Sequence, residues 1–239
     1  MSGFLTSESL SNAELYYAPP TAFSGATVEI SGEEFHHIVK VMRHEAGQTL
    51  LVTDGAGSVF TCGIKDIGKN SLTAEIRERK KFSNNWSKKV FCIPRLKSPE
   101  RFEFALEKAV ELGVTKFIIF ESRRTIAKGA KTERWNKITL AAMKQSLRCY
   151  LPEIEYMKSL SQILKLPGIK LAFEQNSGKR LNEMTFEQDV EYYFIFGPEG
   201  GLDENELALF NGEDLYELGA NRLRTETAVL KAASIVSDL

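Results

Sequence analysis

The chain has 239 residues, of which 43% are hydrophobic and 26% charged, with a formal net charge of −1. That is the make-up of an ordinary globular protein with room for one large domain or two small ones, and no apolar run approaches the roughly 20 residues that cross a bilayer. Three scattered cysteines, Cys62, Cys92 and Cys149, contain no CxxC pair, which excludes a zinc knuckle or a disulfide framework.

The N-terminus lacks a basic segment followed by an apolar core, so no signal peptide is expected, and the expected compartment is the reducing cytoplasm. Residues 1–13 carry little pattern and are set aside as a leader outside the fold. From Glu14 to about Arg79 the chain reads as short strands and turns, "ATVEIS", "QTLLVTDGAGSVFTCGIKDIG" and "NSLTAEIRE". Glycines punctuate the alternating apolar residues as in a small antiparallel barrel. One helical insert, Gly32 to Met42, places Phe35, Ile38, Val39 and Met42 on one face. His36, His37 and His44 lie in or beside it; His37 and His44 are the pair able to share a metal, but no further ligand cluster completes a site, so no metal is expected.

A polar run, "RKKFSNNWSKK", predicts a linker near residues 77–88 and divides the chain into domains at 14–79 and 80–239. Beyond it the rhythm changes to strand, helix, strand. "VFCI" is a strand, and a helix is predicted from Ser98 to Leu112, with Ser98 as N-cap, Pro99 at the first position and Gly113 as the stop. Phe102, Ala105, Leu106, Ala109 and Val110 form its apolar stripe. "KFIIF", a helix over 132–147, the strands "KLAFE" and "EYYFIF", short helices, "LYEL" and a closing helix follow. Alternating elements of this kind predict an α/β fold with a mostly parallel sheet covered on both faces.

Charge is segregated along the chain. Between Arg77 and Arg148 there are 19 Lys and Arg against 7 Glu, leaving 12 basic and 25 acidic residues elsewhere. A basic middle suits a polyanionic partner, although helix faces are also solvated this way.

Three strand ends stand out: "AFEQ" (172–175), "FGPEGG" (196–201) and "LGANRLRTETA" (218–228). In an open parallel sheet, ligands sit beyond the C-terminal ends of strands. A glycine-rich turn before a helix usually holds phosphate, but Glu199, Asp203, Glu204 and Glu206 crowd this one and no GK[ST] or GxGxxG pattern is present. A polyphosphate would meet those carboxylates with only about half a positive charge from the helix terminus in return. A flat base with a sugar and a positive centre fits better, as in S-adenosylmethionine. A plain tight turn between strand and helix is the alternative on this loop alone.

"GPEGG" followed by "LRTETA" at 223–228 resembles the SPOUT class of knotted methyltransferases, and more narrowly the ribosomal RNA small subunit methyltransferase E family. "YYAP" at 16–19, "HIVKVMR" at 37–43, "EKAVELGV" at 107–114 and "KQSLRCYLPEI" at 144–154 fall in the same order, so the likeness covers nearly the whole chain from Leu15. Lys144 and Leu147, and Asn221 with Arg222 one place later, depart from the usual family pattern. The resemblance implies a small N-terminal PUA-like β-barrel, a C-terminal trefoil-knotted, mostly parallel sheet, a homodimer, and S-adenosylmethionine-dependent methylation of N3 of a uridine in 16S rRNA.

On that reading Arg224 steadies the uracil anion and Glu226 is the leading proton acceptor; a salt-bridged helix start with Thr225 as N-cap is the bland alternative. The expected cofactor residues are Phe173 and Glu174 on the first turn, Phe196, Gly197, Gly200 and Gly201 on the second, and Leu218, Gly219, Leu223, Arg224, Thr227 and Ala228 on the third. The expected RNA contacts are Arg43, Lys97, Arg101, Arg123, Arg124 and Arg148. Competing functions are a knotted enzyme acting on ribose 2′-OH or guanine N1, and a ribosome-assembly factor without turnover; a nicotinamide dehydrogenase is more distant.

Overall fold

The computed structural model describes residues 14–238 apart from Asn176 and 211–213, so the expectation about residues 1–13 lies outside the described residues. Contacts divide the chain into two compact units, one reaching to Asn84 and adding Met143–Leu151, the other comprising Asn85–Ala142 and Pro152 onward.

The first unit is a six-stranded sheet in the order β1-β4-β5-β6-β3-β2, built from β1 (Leu15–Tyr17), β2 (Phe23–Ser24), β3 (Thr27–Ser31), β4 (Thr49–Thr53), β5 (Ser58–Ile67) and β6 (Ser71–Lys81). It is mixed rather than purely antiparallel, because β1 runs parallel to β4. Val28, Ile30, Val52, Phe60, Cys62 and Leu72 are among its buried core. The helical insert is α1 (Gly32–His36) followed by a π turn, His37–Val41. The wider turn advances the side-chain phase, so Phe35 and Ile38 are buried while Met42, expected on the same face, is 40% exposed.

Two boundaries differ from the sequence expectation. The strand β6 continues through Arg77–Lys81, pairing Lys81 with Ser58, so the first part of the supposed linker is ladder, and Trp86 near its end is buried. β3 pairs with β6 only as far as Glu75, so this charged end is open on one side, where charged side chains keep a strand soluble without an apolar pattern. The segment 143–151 returns to the first unit: Gly57 and Leu151 donate backbone bonds to Cys149 and Gly55 at 2.9 and 2.8 Å, and the Tyr150 hydroxyl donates to the Phe82 carbonyl at 2.6 Å. Gly57 is required there, since a Cβ would stand 2.2 Å from the Tyr150 oxygen.

The second unit is a wholly parallel six-stranded sheet, ordered β12-β10-β11-β7-β8-β9. Its strands are β7 (Lys89–Pro94), β8 (Lys116–Phe120), β9 (Glu153–Met157), β10 (Ile169–Phe173), β11 (Tyr192–Ile195) and β12 (Leu215–Tyr216). The helices are α2 (Pro99–Glu111), α3 (Thr132–Gln145), α4 (Leu160–Leu164), α5 (Glu204–Leu207) and α6 (Thr225–Asp238). Ser98 caps α2, its hydroxyl oxygen accepting from Arg101 N at 3.4 Å, and all five residues of the expected stripe are buried. β9 was not expected: "EIEYM" alternates between glutamate and partly covered side chains at the sheet edge, which dilutes its apolar signal. In the central strands Phe91 stacks on Phe194 at 5.0 Å and meets Phe196 at 5.5 Å, carrying an aromatic ladder towards the C-terminal strand ends.

Arg95, just past β7, is only 4% exposed. Its guanidinium lies 5.3 and 5.2 Å from the rings of Phe102 and Trp135, and burial lowers its pKa against the opposing pull of Tyr156, Glu121 and Glu103. Its Nε has no hydrogen-bond partner, a deficit that typically costs about 1–3 kcal/mol. Arg95→Met keeps the length and the ring contacts without the charge, so its urea unfolding midpoint is expected to rise, by about 1 kcal/mol of stability. A fall of that size would show instead that the two ring faces more than compensate the buried cation.

Candidate functional site

Adjacency in the sheet brings the three unusual turns together. β12, β10 and β11 are neighbours with the same direction, so the chain leaves all three at one end. There the turns enclose a cleft of about 440 Å³, within the range of small-molecule sites. Phe173, Glu174 and Gln175 line it from the first turn, and residues 196–202 from the second. The third turn adds Glu217, Leu218, Gly219 and residues 221–223, then Thr225 and Ala228 from α6.

The second turn is fastened from two sides. The Thr225 hydroxyl donates to the Gly197 carbonyl at 2.8 Å, which ties the start of α6 to the glycine loop. Arg124 Nη1 donates to the Gly200 carbonyl at 2.6 Å. Glu199 Oε1 accepts from Lys97 N at 2.9 Å while the residue still lines the cleft. Within the loop, Gly201 N donates to Pro198 O at 2.8 Å.

Some of the carboxylates around the loop have structural employment. Asp203 caps α5, with Glu206 N donating to Asp203 Oδ1 at 2.7 Å and Asp203 N donating to Glu206 Oε2 at 3.0 Å. Glu206 also accepts from Arg123 N at 2.9 Å. Glu174, Glu199, Glu204 and Glu217 remain on the cleft against two cations, Arg124 and Arg222. The excess of carboxylates, above a floor that includes Phe173 and Phe196 in tilted contact at 4.9 Å, suits a flat ligand with a positive centre and opposes a polyphosphate.

Ten of the expected cofactor residues line the cleft: Phe173, Glu174, Phe196, Gly197, Gly200, Gly201, Leu218, Gly219, Leu223 and Ala228. Arg224 and Thr227 do not; both are exposed on the outer side of the third turn and the start of α6. Thr225 was missed as a lining residue. It is the first residue of α6 rather than its N-cap, and its hydroxyl is spent on Gly197. The hydroxyl inside the "LRTETA" run was the available signal. Glu226, in the first turn of α6, is 9% exposed; its Oε1 lies 3.7 Å from Arg101 Nε, and its Oε2 is buried without a hydrogen-bond partner.

The expected RNA contacts fall into different places. Lys97, Arg101 and Arg124 line a second recess beside the first. Arg123 Nη1 sits 3.5 Å from Asp203. Arg43, in the first unit, is exposed and takes a left-handed backbone, φ 57°. Arg148, exposed, lies in the segment that returns to the first unit. Among the described residues no group of three potential metal ligands occurs, and no helix is long and apolar enough to cross a membrane.

A parallel α/β sheet with a ligand cleft over three strand ends, two of them glycine-bearing, preceded by a small mixed-sheet domain, goes with the class of RNA methyltransferases: an RNA methyltransferase domain profile matches residues 84–237 and an RNA methyltransferase PUA domain profile matches residues 30–77. The ribosomal RNA small subunit methyltransferase E of Bacillus subtilis (strain 168) is 31% identical over 230 residues, spanning 88% of this chain and 90% of the relative. The crystal structure of a ribosomal RNA small subunit methyltransferase E from Neisseria gonorrhoeae bound to S-adenosyl methionine superposes with a TM-score of 0.83 at 29% identity, over 95% of this chain and 97% of that one. That of a probable rRNA-methyltransferase from Porphyromonas gingivalis gives 0.82 at 30%, over 94% and 97%. The chain belongs to the ribosomal RNA small subunit methyltransferase E family.

Proposed function

We propose that the protein methylates N3 of a uridine in 16S rRNA of the small ribosomal subunit, with S-adenosylmethionine as donor. The observation that carries this reading is the cleft over β10, β11 and β12, where carboxylates outnumber cations four to two and the glycine loop offers backbone rather than lysine. Those residues fit the donor: the apolar floor takes its base, the backbone of residues 196–201 its polar edges, and the carboxylates its sulfonium. Bound there, the donor supplies an electrophilic methyl group.

The chain's own residues supply the rest. Uracil N3–H is a weak acid, so transfer requires removal of a proton or stabilisation of the ring anion. Arg224, exposed just ahead of α6, is the proposed group that steadies O2 or O4. Glu226 is the proposed proton acceptor, with one carboxylate oxygen facing Arg101 and the other unpaired. Held in line, the reacting atoms need no other chemistry from the protein. The homodimer, the trefoil crossing of the C-terminal chain and a cytoplasmic location follow from the family likeness and belong to the same proposal.

The direct test is incubation with labelled methyl donor and small subunits from cells lacking the enzyme, followed by nucleoside analysis. The expected product is 3-methyluridine; label recovered in 2′-O-methylated ribose or 1-methylguanosine would replace this reading with one of its competitors. A narrower expectation concerns Thr225→Val, which removes only the bond to Gly197. Affinity for S-adenosylmethionine in a calorimetric titration should fall about fivefold, the equivalent of ~1 kcal/mol for one hydrogen bond. Unchanged affinity would mean that the loop holds its shape without that tie.

A further inference from the structure

The third turn has a second side. Glu217 and Gly219 line the cofactor cleft, and the same two residues wall a further recess of about 350 Å³ where the sheet ends at β12. Its other walls are Arg180 and Asn182, at the short turn Leu181–Glu183, and Lys231 and Ile235 on α6. The frame is fixed by backbone. Glu217 N donates to Lys179 O at 2.7 Å and Leu181 N to Glu217 O at 3.3 Å, a parallel bridge that extends the sheet by one more segment, and the Leu181 side chain is wholly buried.

The two cations of this recess are loosely held. Arg180 Nε lies 3.7 Å from Glu217 Oε1, with the arginine side chain 62% exposed. That separation is beyond hydrogen-bond reach, and exposed pairs of this kind part easily. The Lys231 ammonium lies against the backbone of Gly219, where a Cβ would stand 2.6 Å from Nζ, and it has no ion-pair partner among the described residues. Both cations fall outside the basic stretch 77–148, in the part of the chain that carries 12 basic residues against 25 acidic ones. A polynucleotide would meet that acidic excess, whereas a small anion meets only the recess.

We infer that this recess binds a small phosphate monoester of sugar-phosphate size, and that its occupancy raises affinity for the methyl donor through Glu217. The Arg180 guanidinium offers a planar fork to phosphate oxygens and Lys231 a point charge. Asn182 supplies an amide for a neighbouring hydroxyl, and Ile235 an apolar wall. The volume stands at the lower end of small-molecule sites. An anion bound here draws Arg180 off Glu217 and repels that carboxylate from the recess it shares with the cleft. The cleft then carries more negative potential, which favours a cationic sulfonium and does nothing for a ligand without that charge. The coupling is reciprocal, so the donor tightens the phosphate by the same factor. Only the coupling rests on the proposed use of S-adenosylmethionine; the anion site stands on its own residues.

The probe is ribose 5-phosphate, with inorganic phosphate as a second arm, titrated by calorimetry at constant ionic strength into the full chain. Ribose 5-phosphate is expected to bind more tightly, because inorganic phosphate leaves Asn182 and Ile235 untouched; equal affinities would overturn the monoester. At saturation it should raise S-adenosylmethionine affinity about fivefold, the low end of coupling between sites, and leave the affinity for S-adenosylhomocysteine, which lacks the sulfonium charge, unchanged. Lys231 is outside the cleft lining. Lys231→Ala should therefore weaken ribose 5-phosphate about tenfold and abolish the gain, with donor affinity in phosphate-free buffer as in wild type. Arg180→Ala should mimic the bound anion, with donor affinity already raised about threefold, where a merely structural role would lower it. No binding of ribose 5-phosphate by wild type, undiminished binding by Lys231→Ala, or its displacement by an RNA pentamer would overturn the site. An equal gain for donor and product would overturn the coupling. A protein that binds no donor defeats the proposed function, and the ribose 5-phosphate titration still decides the site.

Discussion

Gly197→Ala is expected to weaken S-adenosylmethionine binding by ~100-fold while the chain still folds. A Cβ at this position would stand 3.0 Å from Leu202 N, 3.1 Å from Gly201 Cα and 3.2 Å from Gly201 C. These are backbone atoms of the same tight turn, so no side chain can swing aside. The loop must open, and overpacking of this kind costs about 1–3 kcal/mol. Opening also moves the Gly197 carbonyl away from the Thr225 hydroxyl, which detaches the second turn from α6. At ~1.4 kcal/mol per decade of affinity, the two losses together reach two decades. Gly200→Ala is the matched control. There a Cβ meets only the Arg124 side chain, at 3.4 Å, and affinity should stay within about threefold. Calorimetry on both variants decides the matter. Equal, small losses would mean that the loop's glycines serve its folding and not the ligand.

That control separates two uses of glycine that look the same in "GPEGG". The sequence announced a loop needing close backbone approach, because three glycines and a proline within five residues cannot be read as helix or strand. It did not say which glycine is pressed against its neighbours, since that depends on how residues 197–202 curl back. The parallel sheet was legible because β7, β8, β10 and β11 are short apolar runs between helical stretches. β9 was not, because its alternating glutamates suit an edge strand and resemble a loop.

Long-range placement was the least legible. The polar run from Arg77 looks like a linker by composition, yet its first residues complete a ladder whose partner, Ser58, lies in an earlier strand. Residues 143–151 return to the first unit through backbone bonds to Gly55 and Gly57, and nothing local in "MKQSLRCYL" signals that destination. The departure at Leu147 acquires a meaning from the fold. Leu147 N donates to Lys144 O and Arg148 N to Met143 O, the paired bonds that end a helix with a left-handed residue. Leu147 holds that conformation at φ 56° and packs against Leu15, Val59 and Cys149. The apolar contact accompanies a backbone state that glycine more often supplies. Within the cleft, the third turn contributes lining residues, but which of its side chains face inward was not legible. Arg224 and Thr227 are exposed while Thr225 and Ala228 line the cleft, because α6 begins at Thr225 and each residue of a helix is turned about 100° from the one before.

Arg224→Ala is expected to reduce methyl transfer by ~10²–10³-fold with donor affinity changed by no more than about twofold. The separation of the two effects follows from its place. The residue's carbonyl accepts from Ala228 N at 2.8 Å, so its backbone is fixed by the first turn of α6 whatever the side chain. The side chain is exposed and takes no part in the cleft lining, so losing it removes nothing from the donor's surroundings. In the proposed N3 methylation, charge develops on the uracil ring only as N3 loses its proton and attacks, and a cation brought to the ring stabilises that state more than the neutral base before it. Removing a single preorganised donor from such a site costs ~2.7–4 kcal/mol, which sets the expected range. Arg224→Lys retains the charge but loses the planar fork, and should recover part of the rate. Single-turnover assays with saturating RNA and donor isolate the chemical step from binding. A rate for Arg224→Ala within fivefold of wild type would remove the residue from the chemistry and leave Arg124 and Arg222, the cations on the cleft wall, to account for it.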